Sequence, residues 1–170
     1  LYTTVNSQYI KYYISAFLVA ISFTEICSYL IWFEIIDPFK NATIKNPTPF
    51  MSHISYNPIL AFSIYLVAHE IFFNEGLGRL KLFFYIFFSI SMSINMFITG
   101  GRAGQVMFFA AISVLIFQFF NAEKIKSLLI IIITIPALFF SAYLISDLFK
   151  DRVDSAMEDI IRYEGVNLDE

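Results

Sequence analysis

The chain has 170 residues, of which 58% are hydrophobic and 15% charged, with a mean hydropathy of +0.71 and a formal net charge of −3. This composition excludes an ordinary soluble domain and indicates an integral membrane protein, whose partner is the lipid bilayer. Nucleic acid is excluded because the sequence has no basic stripe. The single cysteine, Cys27, excludes an intrachain disulfide and a cysteine-rich metal site, and we expect neither a metal nor a cofactor.

Long apolar runs predict about five membrane-spanning helices, each near the ~20 residues that a span requires. We place these spans at residues 10–36, 57–73, 82–99, 105–120 and 128–145. Asn57 and Pro58 are expected to start the second helix, as its N-cap and its first residue. The predicted fold is therefore an all-α, polytopic transmembrane bundle that occupies residues 1–145.

The last segment, residues 146–170, changes character and is expected to lie outside the membrane core. Its apolar residues recur at helical spacing, at Leu148, Phe149, Val153, Met157, Ile160 and Ile161. We expect an amphipathic helix that Asp147 caps and Gly165 ends. Its cations alternate with acids, which predicts a solvated polar face, with contact to lipid headgroups or an acidic ligand as the alternative. Both ends of the chain look like cuts through a longer protein.

Cations near the span ends predict the orientation, since short cytoplasmic loops are enriched in Lys and Arg. The cations that we assign to the cytoplasmic side are Lys11, Arg79, Lys81, Lys124 and Lys126. Lys40, Lys45 and Arg102 then lie outside. The loop of residues 37–56, the turn around Arg102 and the C-terminal tail are expected on this outer side.

Arg102 is the leading candidate for a functional residue, because a charge between two spans is costly and usually marks a site. Three glycines surround it, Gly100, Gly101 and Gly104. Glycines let a bulky group approach the backbone, and the start of the fourth helix adds amide donors and a positive dipole end. We expect this corner to bind an anion, with phosphate favoured by the planar guanidinium. The alternative is an interfacial arginine that extends to the lipid headgroups.

Three further polar residues belong to the candidate site. Glu25 is expected near mid-membrane, as a proton carrier, as a counter-ion for an arginine, or as a hydrogen-bonded structural carboxyl. Asn95 shares a face with Ser91 and Arg102 if the third helix continues through the turn, which predicts a polar track toward Arg102. His53 is a candidate to line the site on the outer side, and helix capping or a loop hydrogen bond is the other interpretation of it.

The segment around Arg102 resembles a signature of the bacterial O-antigen ligase and O-antigen polymerase family. That signature has a threonine, a glycine, a serine or glycine, an arginine and a small residue, and the matching residues here are Thr99-Gly100-Gly101-Arg102-Ala103-Gly104. Residues 49–58 also resemble the family's upstream outer loop, and residues 147–153 resemble the start of its large periplasmic region. The resemblance therefore implies that residues 146–170 begin a periplasmic loop region. From about Pro49 onward, the similarity covers most of the chain.

The resemblance implies a metal-independent glycosyltransferase in the bacterial inner membrane, with its site facing the periplasm. Such enzymes move a glycan from undecaprenyl pyrophosphate to a saccharide or lipid A-core acceptor. By this resemblance Arg102 would bind the donor pyrophosphate and stabilise negative charge as the phosphate leaves. The family's histidine motif, associated with acceptor activation, is expected beyond Glu170, so no general base is assigned.

Two other hypotheses stay open. In a polyprenyl-lipid flippase or other membrane transporter, Glu25, His69, Glu70 and Arg102 would serve coupling or substrate passage. That class predicts repeated halves with interrupted helices, and the sequence shows no internal repeat. The other hypothesis is a structural membrane segment without chemistry of its own.

Overall fold

The computed structural model describes residues 7–40 and 42–168, and within these ranges the chain forms six helices and no β-strand. Their bounds are α1 Ser7–Trp32, α2 His53–Phe73, α3 Arg79–Ile98, α4 Arg102–Phe119, α5 Lys124–Ile145 and α6 Asp147–Leu168. Five of them, α1 to α5, are long and apolar enough to cross a membrane. The chain is an all-helical, multi-pass membrane protein, which confirms the predicted fold class.

All five spanning helices begin before the predicted spans, and three of them begin at a cation: α3 at Arg79, α4 at Arg102 and α5 at Lys124. The predicted spans started only after these charged residues. A long cationic side chain at a helix end can extend to the headgroup layer, so the charge does not end the helix. The helices therefore include residues that hydropathy alone assigns to the loops.

Helix α1 ends at Trp32, before the predicted limit, because the chain enters the left-handed region at Glu34, with φ 57°. The Glu34 amide donates to the Ile31 carbonyl at 3.0 Å. The Ile35 amide donates to the Leu30 carbonyl at 2.9 Å. These two bonds form a Schellman motif, which satisfies carbonyls that a helix end leaves free.

The predicted start of the second helix at Asn57 is wrong. Helix α2 begins at His53 with Ser52 at the N-cap position, and Pro58 lies inside the helix. Asn57 is fully buried, and its side-chain nitrogen donates to the Met96 carbonyl at 3.2 Å. Because this amide is used between helices, it is not available to cap one.

The core lies where α2 crosses α3 and α4, and α2 packs most extensively against α4. Helix α2 is therefore the central span of the bundle. The side chains that form the buried core are Ile21, Tyr56, Leu60, Ala61, Ile64, Val67, Met92, Met96 and Phe108.

The close approach of α2 and α4 depends on small residues at the start of α4. A Cβ atom at Gly104 would overlap the backbone of Asn57. A Cβ atom at Gly101 would lie 2.6 Å from the Asn57 side-chain nitrogen and 2.8 Å from the His53 carbonyl oxygen. Glycines at such positions let helix backbones meet, as is common in membrane bundles.

The first turn of α6 is anchored on the ends of α3 and α5. Ser146, rather than the predicted Asp147, caps the helix, because the Phe149 amide donates to the Ser146 hydroxyl oxygen at 3.2 Å. The Phe149 ring is buried and meets the rings of Phe97 and Phe139 edge-on, with centroid distances of 5.4 and 5.3 Å. This aromatic contact holds α6 against the bundle.

The amphipathic pattern predicted for the tail is present in α6. Beyond the anchored turn Val153 is half-buried, whereas Met157, Ile160 and Ile161 are exposed, with 54%, 55% and 64% of their surface accessible. The helix runs through Gly165 to Leu168, so the predicted stop at Gly165 is wrong. A single glycine costs about 1 kcal/mol inside a helix, which is too little to end one.

Replacing Gly104 with alanine is expected to destabilise the protein by about 1–3 kcal/mol, because the new methyl group has no space against Asn57. The measurement is the thermal unfolding midpoint of the purified protein in detergent. Gly76→Ala is the matched control, since a Cβ atom there meets the Asn74 side-chain oxygen at an ordinary 3.4 Å. Equal midpoints for the two variants would contradict the proposed packing.

Candidate functional site

The turn between α3 and α4 places Arg102 at the first position of α4. Helix α3 ends at Ile98, and Gly100 has φ +66°, a conformation that residues with a side chain rarely adopt. Arg102 therefore does not continue the register of α3. The predicted polar track from Ser91 and Asn95 to Arg102 is wrong, because the helix on which it depended is interrupted.

The Arg102 side chain is exposed and, within residues 7–40 and 42–168, forms no hydrogen bond or ion pair. The first amide groups of α4 lie beside it, and such groups have no acceptor within their own helix. A free guanidinium next to these amides gives a corner of positive potential. Such an arrangement favours an anion, and anion binding at this corner stays a prediction.

A second guanidinium, that of Arg152 on α6, lies against the turn at Gly100. Its Nη2 atom is 3.6 Å from the position that a Cβ atom of Gly100 would occupy. Arg152 is half-buried and has no carboxylate within ion-pair distance in the described part of the chain. The sequence pattern placed the α6 cations on a solvated face. The contact of Arg152 with the turn follows only from how α6 docks.

The three glycines of the turn face protein atoms. Gly101 and Gly104 face Asn57, while Gly100 faces the Leu148 side chain and Arg152. All three glycines are buried, so they let the turn pack against α2 and α6 and leave no open space for a ligand at their Cα atoms. Their role in substrate binding stays a prediction.

A buried hydrogen-bond network below the turn joins the end of α3 to α2. The Thr99 hydroxyl donates to the Asn57 side-chain oxygen at 2.6 Å, and both residues are fully buried. The Asn57 amide in turn reaches the Met96 carbonyl. Thr99 opens the segment that resembles the family signature, and here it fixes the position of the turn. Sequence reasoning missed Asn57 in this role because its Asn-Pro context is typical of a helix start.

Glu25 and Asn95 lie in a polar layer between α1 and α3. The Ser91 hydroxyl donates to Glu25 Oε1 at 2.6 Å, and the Asn95 amide donates to the Ser28 hydroxyl oxygen at 3.0 Å. Glu25 is 3% exposed and has no cation within ion-pair distance in the described ranges. These contacts match a hydrogen-bonded structural carboxyl rather than a counter-ion. Asn95 is enclosed by the same layer, and its predicted contact with substrate stays a prediction.

His53 lies at the same end of the bundle as Arg102. It is the first residue of α2, and its carbonyl oxygen faces Gly101. The half-buried imidazole makes no hydrogen bond to the residues that the structure describes, and Ser52 holds the N-cap position. The capping interpretation of His53 is therefore wrong, and its role in the site stays a prediction.

In the described part of the chain, His, Cys, Asp and Glu side chains form no cluster that could hold a metal ion. A comparison with known protein families, with characterised proteins and with solved structures finds no match. The resemblance to the O-antigen ligase and polymerase family therefore rests on residues 49–58, 99–104 and 147–153 of the sequence.

Glu25→Gln is expected to change the stability by less than about 1 kcal/mol, because the amide oxygen can accept the Ser91 hydrogen bond. Glu25→Leu leaves the Ser91 hydroxyl without this acceptor and is expected to cost about 1–3 kcal/mol. The double variant Glu25→Leu with Ser91→Ala should recover most of that loss. The measurement is the thermal unfolding midpoint of each of the three variants in detergent. A Gln variant as unstable as the Leu variant would contradict a structural carboxyl.

Proposed function

We propose that this chain is the donor-binding part of a membrane glycosyltransferase of the O-antigen ligase or polymerase type. Its donor is a glycan linked to undecaprenyl pyrophosphate, and its acceptor is a saccharide or a lipid A-core. The reaction takes place at the periplasmic face of the bacterial inner membrane. One observation carries the proposal: Arg102 is exposed and unpaired in the described part of the chain, at the start of a membrane helix.

The charges around the turn suit a pyrophosphate at the membrane surface. A guanidinium keeps its charge in a low-dielectric environment and binds two phosphate oxygens with parallel hydrogen bonds. Arg152 contacts the turn at Gly100, two residues before Arg102, and the first amides of α4 add uncharged donors. In this proposal Arg102 binds the phosphate that is bonded to the sugar, and Arg152 binds the phosphate that is bonded to the polyprenyl chain.

In the proposed reaction an acceptor hydroxyl attacks the anomeric carbon of the first sugar of the donor. The bond between that carbon and the pyrophosphate oxygen breaks, and the pyrophosphate leaves with the electron pair. Arg102 stabilises the negative charge that grows on the leaving oxygen, which lowers the barrier. A general base outside the described residues takes the hydroxyl proton, as the family resemblance implies.

The transport hypothesis has less support. Many transporters bind their substrate between broken helices near the middle of the membrane. Helices α1 to α5 are continuous over their described lengths, and the unpaired arginine lies at a helix end. A site at the end of a span suits chemistry at the membrane surface better than passage through the membrane.

Arg102→Ala is expected to lower glycan transfer by at least about 10²-fold, because a group that stabilises the leaving charge is lost. Arg102→Lys should rescue poorly, since an ammonium lacks the planar pair of donors. The assay uses the full-length protein in proteoliposomes with a polyprenyl-pyrophosphate glycan and alternative saccharide acceptors. Arg79→Ala, at the exposed start of α3, is the control. A normal rate of glycan transfer by the Arg102→Ala variant would contradict the proposal.

Arg152→Ala is expected to raise the KM for the donor by about 10-fold, with a smaller effect on kcat. The reason is the loss of one charge-assisted hydrogen bond, worth about 1.5–3 kcal/mol. Arg162→Ala is the matched control, because Arg162 is exposed further along the same helix. If both variants leave the donor KM unchanged, Arg152 has no part in donor binding.

A further inference from the structure

A groove of about 970 Å³ lies on the side of the bundle, between α3 and α5 and beneath the start of α6. Its walls are apolar and include Ile90, Ile94, Leu138 and Ile145, with Phe108 of α4 behind them. Ile90, Ile94 and Ile145 are 56%, 52% and 84% exposed, whereas Phe108 is buried. The groove is therefore open on the lipid-facing surface of the helices and closed toward the core.

The length of the groove matches one leaflet of a bilayer. Its residues on α3 extend from Ser89 to Ile98, which is about 14 Å along a helix with a rise of 1.5 Å per residue. Half of the ~30 Å hydrocarbon core is about 15 Å. The groove ends at the same end of the bundle as Arg102, beneath α6. Its shape suits a lipid hydrocarbon chain that lies along the helices.

Charged groups of both signs surround the end of the groove under α6. Lys45 comes from the loop between α1 and α2, and Asp147 and Asp151 are four residues apart on α6, so both can face the groove. All three side chains are exposed, and within the described ranges none forms an ion pair. Two carboxylates and one ammonium complement a headgroup that carries an ammonium and a phosphate. They disfavour a headgroup with negative charge alone.

We propose that this groove binds a phospholipid with an ethanolamine headgroup. One acyl chain lies against the apolar walls of α3 and α5. The lipid ammonium donates hydrogen bonds to Asp147 and Asp151, and the lipid phosphate meets Lys45. Arg102 does not line the groove, although Leu148 lies both in the groove and against Gly100 of the turn. The lipid proposal rests on the groove residues and does not require the transferase activity proposed above.

Trp32 provides a direct probe of this site, because it lines the groove and is the single tryptophan of the chain. Bromine atoms on a lipid chain quench tryptophan fluorescence on contact. The full chain is reconstituted in phosphatidylcholine vesicles that contain a probe lipid brominated near the headgroup end of its chain. Probes with ethanolamine, glycerol and choline headgroups are compared. The ethanolamine probe is expected to reach half-maximal quenching at a several-fold lower mole fraction than the other two.

Two pairs of variants separate the chain-binding walls from the headgroup charges. Ser93→Phe fills the groove and should remove the preference for the ethanolamine probe. Ser15→Phe places the same side chain at an exposed position of α1 and should keep that preference. The double change Asp147→Asn and Asp151→Asn should also remove the preference for the ethanolamine probe. A second double change, Glu158→Gln and Asp159→Asn, removes the same charge elsewhere on α6 and should keep the preference.

Equal quenching by the three probes in the natural chain would overturn the proposal. So would an intact ethanolamine preference in the Asp147 and Asp151 double variant, which leaves the groove open and tests the site even if Ser93→Phe does not fold. A brominated polyprenyl pyrophosphate that displaces the ethanolamine probe from Trp32 would assign the groove to the glycan donor instead. Loss of lipid preference and loss of glycan transfer are measured separately, so either result stands without the other.

Discussion

The buried amide of Asn57 is the contact on which the end of the bundle around Arg102 depends. A polar side chain in the membrane must be paired, because no water is available to satisfy it. Asn57 meets this requirement with the Met96 carbonyl and the Thr99 hydroxyl, both at the end of α3. Its backbone also occupies the space that Gly104 leaves on α4. One residue of α2 thus fixes the two helix ends that flank the turn.

The position of Arg102 follows from this constraint. With α3 held by Thr99 and α4 held at Gly104, the chain must reverse within a few residues, and Gly100 makes this possible with its left-handed conformation. The reversal leaves Arg102 as the first residue of α4, exposed and beside free helix amides. The docking of α6 through Phe149 then brings Arg152 to the same turn. The positive corner is therefore built by two helices that carry one arginine each.

The polar residues within the membrane have a different role. The Glu25–Ser91 and Asn95–Ser28 contacts join α1 to α3, and hydrogen bonds of this kind hold membrane helices together where lipid removes the hydrophobic driving force. The groove between α3 and α5 lies on another side of α3 and is lined mainly by apolar residues. Helix α3 thus separates a polar contact with α1 from an apolar surface open to lipid.

The sequence by itself determined the number and type of the spanning helices and the amphipathic tail, and it made Arg102 the leading candidate for a functional residue. These properties follow from local apolar content, helical periodicity and the cost of a charge between spans, which need no knowledge of distant contacts. The tertiary structure alone decided the role of Asn57, the partners of the three glycines and the presence of Arg152 at the turn. Each of these depends on which helix faces which. In a membrane bundle that choice is made by close backbone packing and paired polar groups, which join residues far apart in the chain.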